Sequence, residues 1–331
     1  MAKGTPALDE RTVFGAAARS SVSTVGRFGA VLLPFGDKHA GAAAINASLK
    51  TFAKPGTWFA PMWAIMVGAV AGGARWDALS LVKIVAAMAL AGPLLCAFSQ
   101  IVNDWCDRDV DRINEPDRPT AANLLAPRTI VLVAAGLALA ALALAYALGT
   151  AVLAIAALGL VLALAYSVPP LRLKARNGWL ANAACAFAYE GCAWVAGAAA
   201  FGHVTRGTLV LATLYSLGSH GLMTLNDFKS IDGDRRLGLR SIPAMLGIRG
   251  ALMQAFAFID VFQVLAIGYV LAHRAWIAAA FMLVLFAVQL PMQRRMARDP
   301  AALAPWYCAS AIPPFVWGML AAALAIRYGG F

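Results

Sequence analysis

The sequence predicts an all-α membrane protein with nine transmembrane helices, and three observations support this fold class. Of the 331 residues, 61% are hydrophobic and only 13% are charged, whereas soluble domains carry about 25% charged residues. The hydrophobic residues form nine runs of roughly the length that a helix needs to cross a bilayer. Lys and Arg residues are concentrated in alternate gaps between these runs. This composition excludes a disordered chain, a nucleic-acid-binding protein and an ordinary soluble enzyme.

The nine predicted spans follow one another closely along the chain. Two of them are separated only by the Leu-Gly-Thr turn at 148–150, which predicts a tight helical hairpin. Residues 1–50 carry no convincing signal peptide, so we expect a loosely ordered cytoplasmic arm there and a transmembrane domain over 51–331. The predicted spans are 57–74, 80–102, 129–147, 150–167, 179–201, 207–226, 250–271, 275–291 and 305–326.

The basic residues predict which side each loop faces. With a cytoplasmic N-terminus, 22 of the 27 Lys and Arg residues fall on the cytoplasmic side. Because cytoplasmic loops of membrane proteins are enriched in Lys and Arg, we expect a multi-pass protein of the inner (cytoplasmic) membrane, surrounded by the lipid bilayer. These loops also explain the net charge of +11, so no nucleic-acid partner is expected.

Acidic residues are concentrated in two short windows. The first window, residues 104–117, and the second window, residues 227–234, contain nine of the sixteen Asp and Glu residues. Each directly follows a predicted span on the predicted cytoplasmic side, and each opens with Asn-Asp, at Asn103-Asp104 and at Asn226-Asp227. The two Asn-Asp pairs lie 123 residues and four helices apart, which indicates an internal repeat.

Three acids of the first window have a spacing that suggests a metal site. Asp104, Asp107 and Asp111 are at i, i+3 and i+7, which on a helix places them on one face. Unpaired, the three carboxylates would repel one another. Mg²⁺ removes this conflict, because it binds one or two protein carboxylates and completes its shell with water and substrate phosphates. The alternative is a solvated loop in which the acids pair with neighbouring arginines.

Several motifs resemble those of a known family. N-D-W-C-D-R-D-V-D-R-I-N-E-P-D-R-P at 103–119 resembles the first Asp-rich motif of the UbiA superfamily of intramembrane prenyltransferases, in its chlorophyll and bacteriochlorophyll synthase branch. L-N-D-F-K-S-I-D-G-D-R-R-L-G-L-R-S-I-P at 225–243 is similar to the second motif of that branch. K-P-G-T-W-F-A-P-M-W at 54–63, Y-S-V-P-P-L-R-L-K-A-R-N-G-W at 166–179 and A-Y-E-G-C-A-W at 188–194 also resemble it. The chain departs from the family at R-P-T-A-A-N, 118–123, and at Cys106.

The resemblance implies nine transmembrane helices around a central cavity that opens to the cytoplasm and the lipid. It implies transfer of a C20 prenyl group, geranylgeranyl or phytyl, from its diphosphate to the propionate of a (bacterio)chlorophyllide. Mg²⁺ is the expected cofactor, and the prenyl diphosphate and the pigment are the expected substrates. Other pigment-biosynthesis or photosystem-assembly proteins are further candidate partners.

The resemblance and the charge pattern together assign roles to individual residues. The Mg²⁺ ligands are expected to be Asp104, Asp107, Asp111, Asp227, Asp232 and Asp234. The diphosphate contacts are expected to be Asn103, Arg118, Arg172, Lys174, Asn226 and Lys229. Glu190 and His220 lie inside predicted spans as candidate pigment-binding residues, and helix packing is the alternative role for both. A propionate is already ionised at neutral pH, so no dedicated general base is needed.

Two alternative functions fit parts of this pattern. One is the same fold with another acceptor, such as 4-hydroxybenzoate or protohaem. The other is a cation-coupled transporter, since repeats and acidic groups are also typical of transporters. Transporter sites lie near the bilayer midplane, however, whereas both acidic windows are predicted at one edge.

Overall fold

The structure is a computed structural model that describes residues 54–331 except 124–125, and within these residues it contains helices and loops but no strand. The predicted N-terminal arm, 1–50, lies outside the described residues. The helices are numbered here in chain order: α1 Phe59–Ala71, α2 Ala78–Cys106, α3 Arg108–Asn114, α4 Pro127–Leu148, α5 Thr150–Ser167, α6 Leu173–Arg176, α7 Gly178–Ala200, α8 Arg206–Asn226, α9 Ile231–Arg236, α10 Ile242–Ala272, α11 Trp276–Met296 and α12 Pro300–Gly329.

Eight helical segments in the described part of the chain are long and apolar enough to cross a membrane. They are α2, α4, α5, α7, α8 with its continuation to Arg236, α10, α11 and α12, and each matches one predicted span. The first predicted span, 57–74, forms the 13-residue helix α1 after a 3-10 turn, Pro55–Trp58. The predicted all-α, multi-pass membrane fold is therefore confirmed, with α1 as a shorter ninth helix that packs against α7 and α12.

Two of the long helices change their hydrogen-bonding pattern midway. Leu90–Cys96 of α2 and Phe187–Cys192 of α7 are π-helical. The segment in α2 contains Pro93, which has no N–H to donate to the preceding turn. Such segments are frequent at functional sites, and both contribute residues to the cavity described below.

The connection between α4 and α5 is as short as the sequence predicts. Gly149 alone separates the two helices, with φ 140° and ψ 155°. A residue with a Cβ rarely adopts this backbone conformation, so glycine permits the sharp reversal. The two helices then pack against each other as an antiparallel pair, which confirms the predicted hairpin.

Helices α1 and α7 approach each other through glycines. A Cβ atom built at Gly68 would collide with the carbonyl oxygen of Trp194, and one built at Gly197 would collide with the carbonyl oxygen of Ile65. The two backbones are therefore in direct contact. Small residues allow such close approach between helices in membranes, where packing and not hydrophobic burial drives association.

We expect Gly197→Leu to destabilise the protein by about 1–3 kcal/mol, because the backbone of α1 must move away to make room. Thermal unfolding of the detergent-solubilised protein measures the change. Gly136→Leu on α4 is the matched control, since nothing lies within 4 Å of a Cβ at that position. An equal loss of stability in both variants would contradict the direct contact between α1 and α7.

Candidate active site

The two acidic windows meet at one end of the helical bundle. The first window begins on the last turn of α2, leaves helical geometry at Asp107 (φ −99°, ψ 6°) and continues into α3. The second window starts with the 3-10 turn Asp227–Ser230 and continues into α9. Helix α3 packs against α9, so segments more than a hundred residues apart in sequence share one surface.

The three regularly spaced acids of the first window are buried. Asp104, Asp107 and Asp111 are 0%, 2% and 5% exposed. A buried carboxylate is costly unless a cation or hydrogen-bond donor compensates its charge. The compensating groups come from three other parts of the chain: the segment before α1, the loop after α3, and the loop between α5 and α7.

Lys54 and Arg118 compensate the acids at the two ends of this cluster. The Lys54 ammonium lies 2.6 Å from Oδ1 of Asp104. Arg118 Nη1 donates to Oδ1 of Asp104 at 3.2 Å and to Oδ2 of Asp111 at 2.8 Å, and its Nε donates to Glu115 at 2.6 Å. Burial is the larger influence on Asp111 and raises its pKa, although Arg118 acts in the opposite direction.

Asp107 lies between two other cations. Lys174 Nζ donates to Oδ2 of Asp107 at 2.6 Å, Arg172 Nη2 donates to Oδ1 at 3.3 Å, and Asn103 Nδ2 donates to Oδ2 at 2.8 Å. Burial alone would raise the pKa of Asp107, but the two cations outweigh it and lower the pKa below its ordinary value. Asp107 is therefore ionised at neutral pH.

Lys174 connects the two windows electrostatically. Burial would lower its pKa, but Asp107 of the first window and Asp227 and Asp234 of the second window together raise the pKa of Lys174. One ammonium group is thus stabilised by carboxylates from both windows.

The loop that carries Lys174 is tied to the segment after the second window. The Gly178 N–H donates to the Arg240 carbonyl at 2.9 Å, and the Arg240 N–H donates to the Ala175 carbonyl at 3.3 Å. Helix α5 ends at Ser167, just before Pro169-Pro170, which prevents the helix from continuing. The loop is therefore directed towards the first window.

A cavity of about 520 Å³ lies between α1, α2, α5, α7, α8 and α12, and both windows contribute to its wall. Its polar end is lined by Lys54, Asn103, Asp111, Glu115, Arg118, Lys174, Asn182, Asn226, Asp227, Lys229 and Asp234. Its apolar part is lined chiefly by Ile65, Leu90, Leu95, Ile155, Leu162, Ile312, Phe315 and Val316. The volume is typical of small-molecule sites, and the arrangement suits a ligand with an anionic head and a hydrocarbon chain.

The structure distinguishes among the predicted acids. Asp111, Asp227 and Asp234 line the cavity, whereas Asp232 is exposed and is not part of the wall. Asp104 and Asp107 lie behind the wall, in the ion pairs described above. Lys54 and Arg118 both pair with Oδ1 of Asp104, so these two cations provide part of the compensation that the repulsion argument assigned to a metal.

The described residues contain no ready-made group of three or more His, Cys, Asp or Glu side chains placed to hold a metal ion. Single oxygens are nevertheless available. Oδ2 of Asp104 and Oδ1 of Asp234 are buried and have no hydrogen-bond partner among the described residues. Carboxylate oxygens of this kind fit a hard cation that takes its remaining ligands from phosphate and water.

His220 is used in helix packing. Its Nε2 lies 3.2 Å from the Trp179 carbonyl oxygen, its Nδ1 lies 3.3 Å from Nε2 of Gln254, and its ring stacks on Phe258 at 4.5 Å. It does not line the cavity. These contacts agree with the packing role that the sequence analysis left open. Glu190, the other predicted pigment-binding residue, is buried and lines the cavity.

Sequence reasoning missed Lys54 and Glu115 as members of the site. Both line the polar end of the cavity, and both take part in the ion-pair cluster. No role in the site was predicted for Lys54. Its position at the start of K-P-G-T-W, one of the family-like motifs, was the available signal.

The fold and the charged, membrane-embedded cavity define an intramembrane enzyme class. The sequence profile of the UbiA prenyltransferase family matches residues 59–320. The chain belongs to this family and is a membrane prenyltransferase.

Several relatives are similar in sequence to this chain over most of its length. It is 45% identical over 273 residues to the bacteriochlorophyll synthase 34 kDa chain of Chloroflexus aurantiacus, covering 82% of this chain and 88% of the relative. It is 38% identical over 284 residues to the chloroplastic chlorophyll synthase of Oryza sativa subsp. japonica, covering 83% and 75%. A solved UbiA homolog from Archaeoglobus fulgidus, bound to GPP and Mg²⁺, shares the fold with a TM-score of 0.61 at 17% identity, covering 85% of this chain and 99% of that one.

We expect Lys174→Met to destabilise the protein at pH 7 by about 1–3 kcal/mol, because it removes a cation from the buried Asp107 carboxylate. The cations lower the pKa of Asp107 in the folded state. Their contribution is therefore fully present above the unfolded pKa, near 4, and is lost as the pH falls through the folded pKa. Thermal unfolding at a series of pH values should show the two proteins converging in acid.

Arg112→Met is the control for this variant. Arg112 pairs with Asp109, but the two side chains are 48% and 66% exposed, so the loss should stay within about 1 kcal/mol. A Lys174→Met variant as stable as Arg112→Met at pH 7 would show that the ion pair does not compensate a buried charge.

Proposed function

We propose that this prenyltransferase esterifies the propionate of a (bacterio)chlorophyllide with a C20 prenyl group, geranylgeranyl or phytyl, taken from its diphosphate. The observation that carries the proposal is the cavity wall, which passes from two facing acidic windows with interleaved cations to apolar helix faces. The names of the relatives, bacteriochlorophyll synthase and chlorophyll synthase, support the choice of acceptor.

The cations at the polar end are the proposed diphosphate contacts. Arg118, Lys174 and Lys229 line it, and Arg172 lies beside Asp107. Arg and Lys form strong charge-assisted hydrogen bonds with phosphate oxygens. When the diphosphate binds, these cations replace some of their hydrogen bonds to the acids with hydrogen bonds to the phosphate oxygens. Asn103 and Asn226, also in the wall, can orient phosphate oxygens or metal-bound water.

We infer that Mg²⁺ is the cofactor. Asp111, Asp227 and Asp234 line the cavity, and Asp104 and Asp234 each keep a buried oxygen without a partner among the described residues. These residues would hold the metal together with the substrate phosphates. Asp107 would act through its ion pairs with Lys174 and Arg172, and Asp232, which is exposed, would lie further from the metal. Bound Mg²⁺ neutralises charge on the leaving diphosphate. The solved homolog bound to GPP and Mg²⁺ supports this assignment.

In the proposed reaction the allylic carbon–oxygen bond breaks and its electron pair leaves on the diphosphate. Arg118 and Lys174 stabilise the charge that develops there. An ionised propionate oxygen then bonds to the allylic carbon, giving the ester and free diphosphate. No proton is transferred, in keeping with a cavity wall that carries no histidine among the described residues. The apolar part excludes water, which would otherwise trap the cation as an alcohol.

We propose that the protein lies in the inner (cytoplasmic) membrane with its N-terminus and active site on the cytoplasmic side. The support is the concentration of 22 of the 27 Lys and Arg residues on one predicted side. The loops that carry Arg118 and Lys174 meet at one end of the bundle. This edge position and the family membership do not favour a transporter.

The purified protein should produce a pigment ester when it is given geranylgeranyl diphosphate and either chlorophyllide or bacteriochlorophyllide. Mass spectrometry of the product identifies both the tail and the ring. The same assay with 4-hydroxybenzoate and with protohaem tests the alternative acceptors. Prenylation of either of these without any pigment ester would replace the proposed acceptor.

Asp234→Asn and Asp227→Asn should each lower turnover by roughly 10²- to 10³-fold or more, because the variants lose charge that holds the metal and diphosphate. Asp232→Asn should lose less, since Asp232 is exposed and outside the wall. EDTA should stop the wild-type reaction and Mg²⁺ should restore it. The measurement is the initial rate of prenyl transfer as a function of Mg²⁺ concentration.

Asp109→Asn controls for a general effect of removing charge, because Asp109 is exposed and pairs only with Arg112 among the described residues. Metal-independent turnover, or a loss in Asp109→Asn as large as in Asp234→Asn, would refute the proposed ligands.

A further inference from the structure

Glu190 and Ser219 are two of the cavity-wall side chains that have a buried polar atom without a hydrogen-bond partner among the described residues. Glu190, on the π-helical segment of α7, is 5% exposed, and Ser219, on α8, is 1% exposed. Both line the cavity. Oε2 of Glu190 and Oγ of Ser219 are buried and have no partner among the described residues. Burying polar atoms unpaired costs free energy, so these two atoms point to a ligand that pairs with them.

The packing of α7 against α8 sets the relative position of these groups. Asn182 Nδ2 donates to Oγ1 of Thr224 at 3.1 Å. Further along both helices, a Cβ built at Gly191 would lie 2.6 Å from Oγ of Ser216. Residue numbers therefore rise on α7 as they fall on α8, so the helices run antiparallel.

This register places Ser219 within about one helical turn of Glu190 along the bundle axis. Glu190 lies eight residues beyond Asn182, which belongs to the polar end. At 1.5 Å per residue that separation is roughly 12 Å. Glu190 and Ser219 thus lie at a similar depth in the wall of the same cavity, away from the diphosphate contacts.

Both groups are hydrogen-bond donors at this depth. Glu190 takes part in none of the ion pairs formed by residues 54–331 that the structure describes. An ionised carboxylate without a cation in an apolar, membrane-embedded cavity is too costly, so the side chain is protonated. A protonated carboxyl group and a hydroxyl group each offer one O–H.

The neighbouring polar side chains differ from this pair. The hydroxyl of Tyr189 lies 2.8 Å from Oγ of Ser99 and accepts a hydrogen bond from Gln100 at 3.0 Å. Oγ of Ser216, one turn from Ser219, donates to the Ala212 carbonyl at 2.8 Å. Tyr189 and Ser216 are therefore paired. Nε1 of Trp194, one turn along α7 from Glu190, also lacks a partner among the described residues, but Trp194 does not line the cavity.

We propose that Glu190 and Ser219 donate hydrogen bonds to a carbonyl group on the edge of the acceptor's tetrapyrrole ring. A prenyl chain is a hydrocarbon and offers them no acceptor atom, so the partner belongs to the second substrate. The two donors hold the ring while its propionate reaches the polar end. This inference rests on the proposed function. It adds that Glu190 and Ser219 select the acceptor, and that they do so by binding a carbonyl substituent of the ring.

The test measures KM and kcat separately for the pigment and for geranylgeranyl diphosphate. Ser219→Ala and Glu190→Leu should each raise the pigment KM roughly five- to tenfold, because each removes one hydrogen bond, while the diphosphate KM stays within about twofold. Glu190→Gln keeps an N–H donor and should retain most of the pigment affinity. Titration of pigment absorbance with each purified variant gives the same ranking without turnover.

Ser216→Ala is the matched control, because Ser216 bonds to its own helix and does not line the cavity. An unchanged pigment KM in Ser219→Ala and Glu190→Leu, or an equal rise in Ser216→Ala, would overturn the inference and leave the proposed function standing. If Glu190→Leu does not fold, Ser219→Ala and the titration decide. A wild-type protein that forms no pigment ester would instead remove the proposed function, and this inference with it.

Discussion

The organisation of this protein depends on compensating three carboxylates that are buried at the end of a membrane-spanning helix. Asp104, Asp107 and Asp111 cannot be buried unless cations are brought to them. The cations come from the segment before α1, the loop after α3 and the loop between α5 and α7. Satisfying this charge cluster joins distant parts of the chain and creates the polar end of the cavity as a consequence.

A site built in this way contains both the cationic and the acidic side chains that prenyl transfer needs. The cations suit the diphosphate, and the acids beside them suit a divalent metal. Because the acids of the first window are already paired with cations, substrate binding in the proposed reaction exchanges partners of these cations and adds little uncompensated charge to an apolar region. The low-dielectric surroundings strengthen every such interaction, so the same burial that makes the cluster costly makes it effective at a leaving group.

The irregular parts of the helices serve the cavity. The π-helical segments Leu90–Cys96 and Phe187–Cys192 both contribute to its wall. Glycine contacts between α1 and α7 bring two wall-forming helices together at backbone distance. Helices α4, α10 and α11 contribute no wall residue in the described chain, and they present much apolar surface outward. Inner helices therefore form the cavity wall, and outer helices form much of the apolar surface of the bundle.

The sequence by itself determined the fold class, the spans and the two acidic windows, since run length, turn residues and charge spacing are local properties of the chain. Only the tertiary structure decided which charges meet. Lys54 reaches Asp104 across fifty residues, Asp234 but not Asp232 lines the cavity, and His220 is occupied by packing contacts. Such pairings depend on how helices dock. Side-chain direction at the contact is set by packing against partners that are remote in sequence.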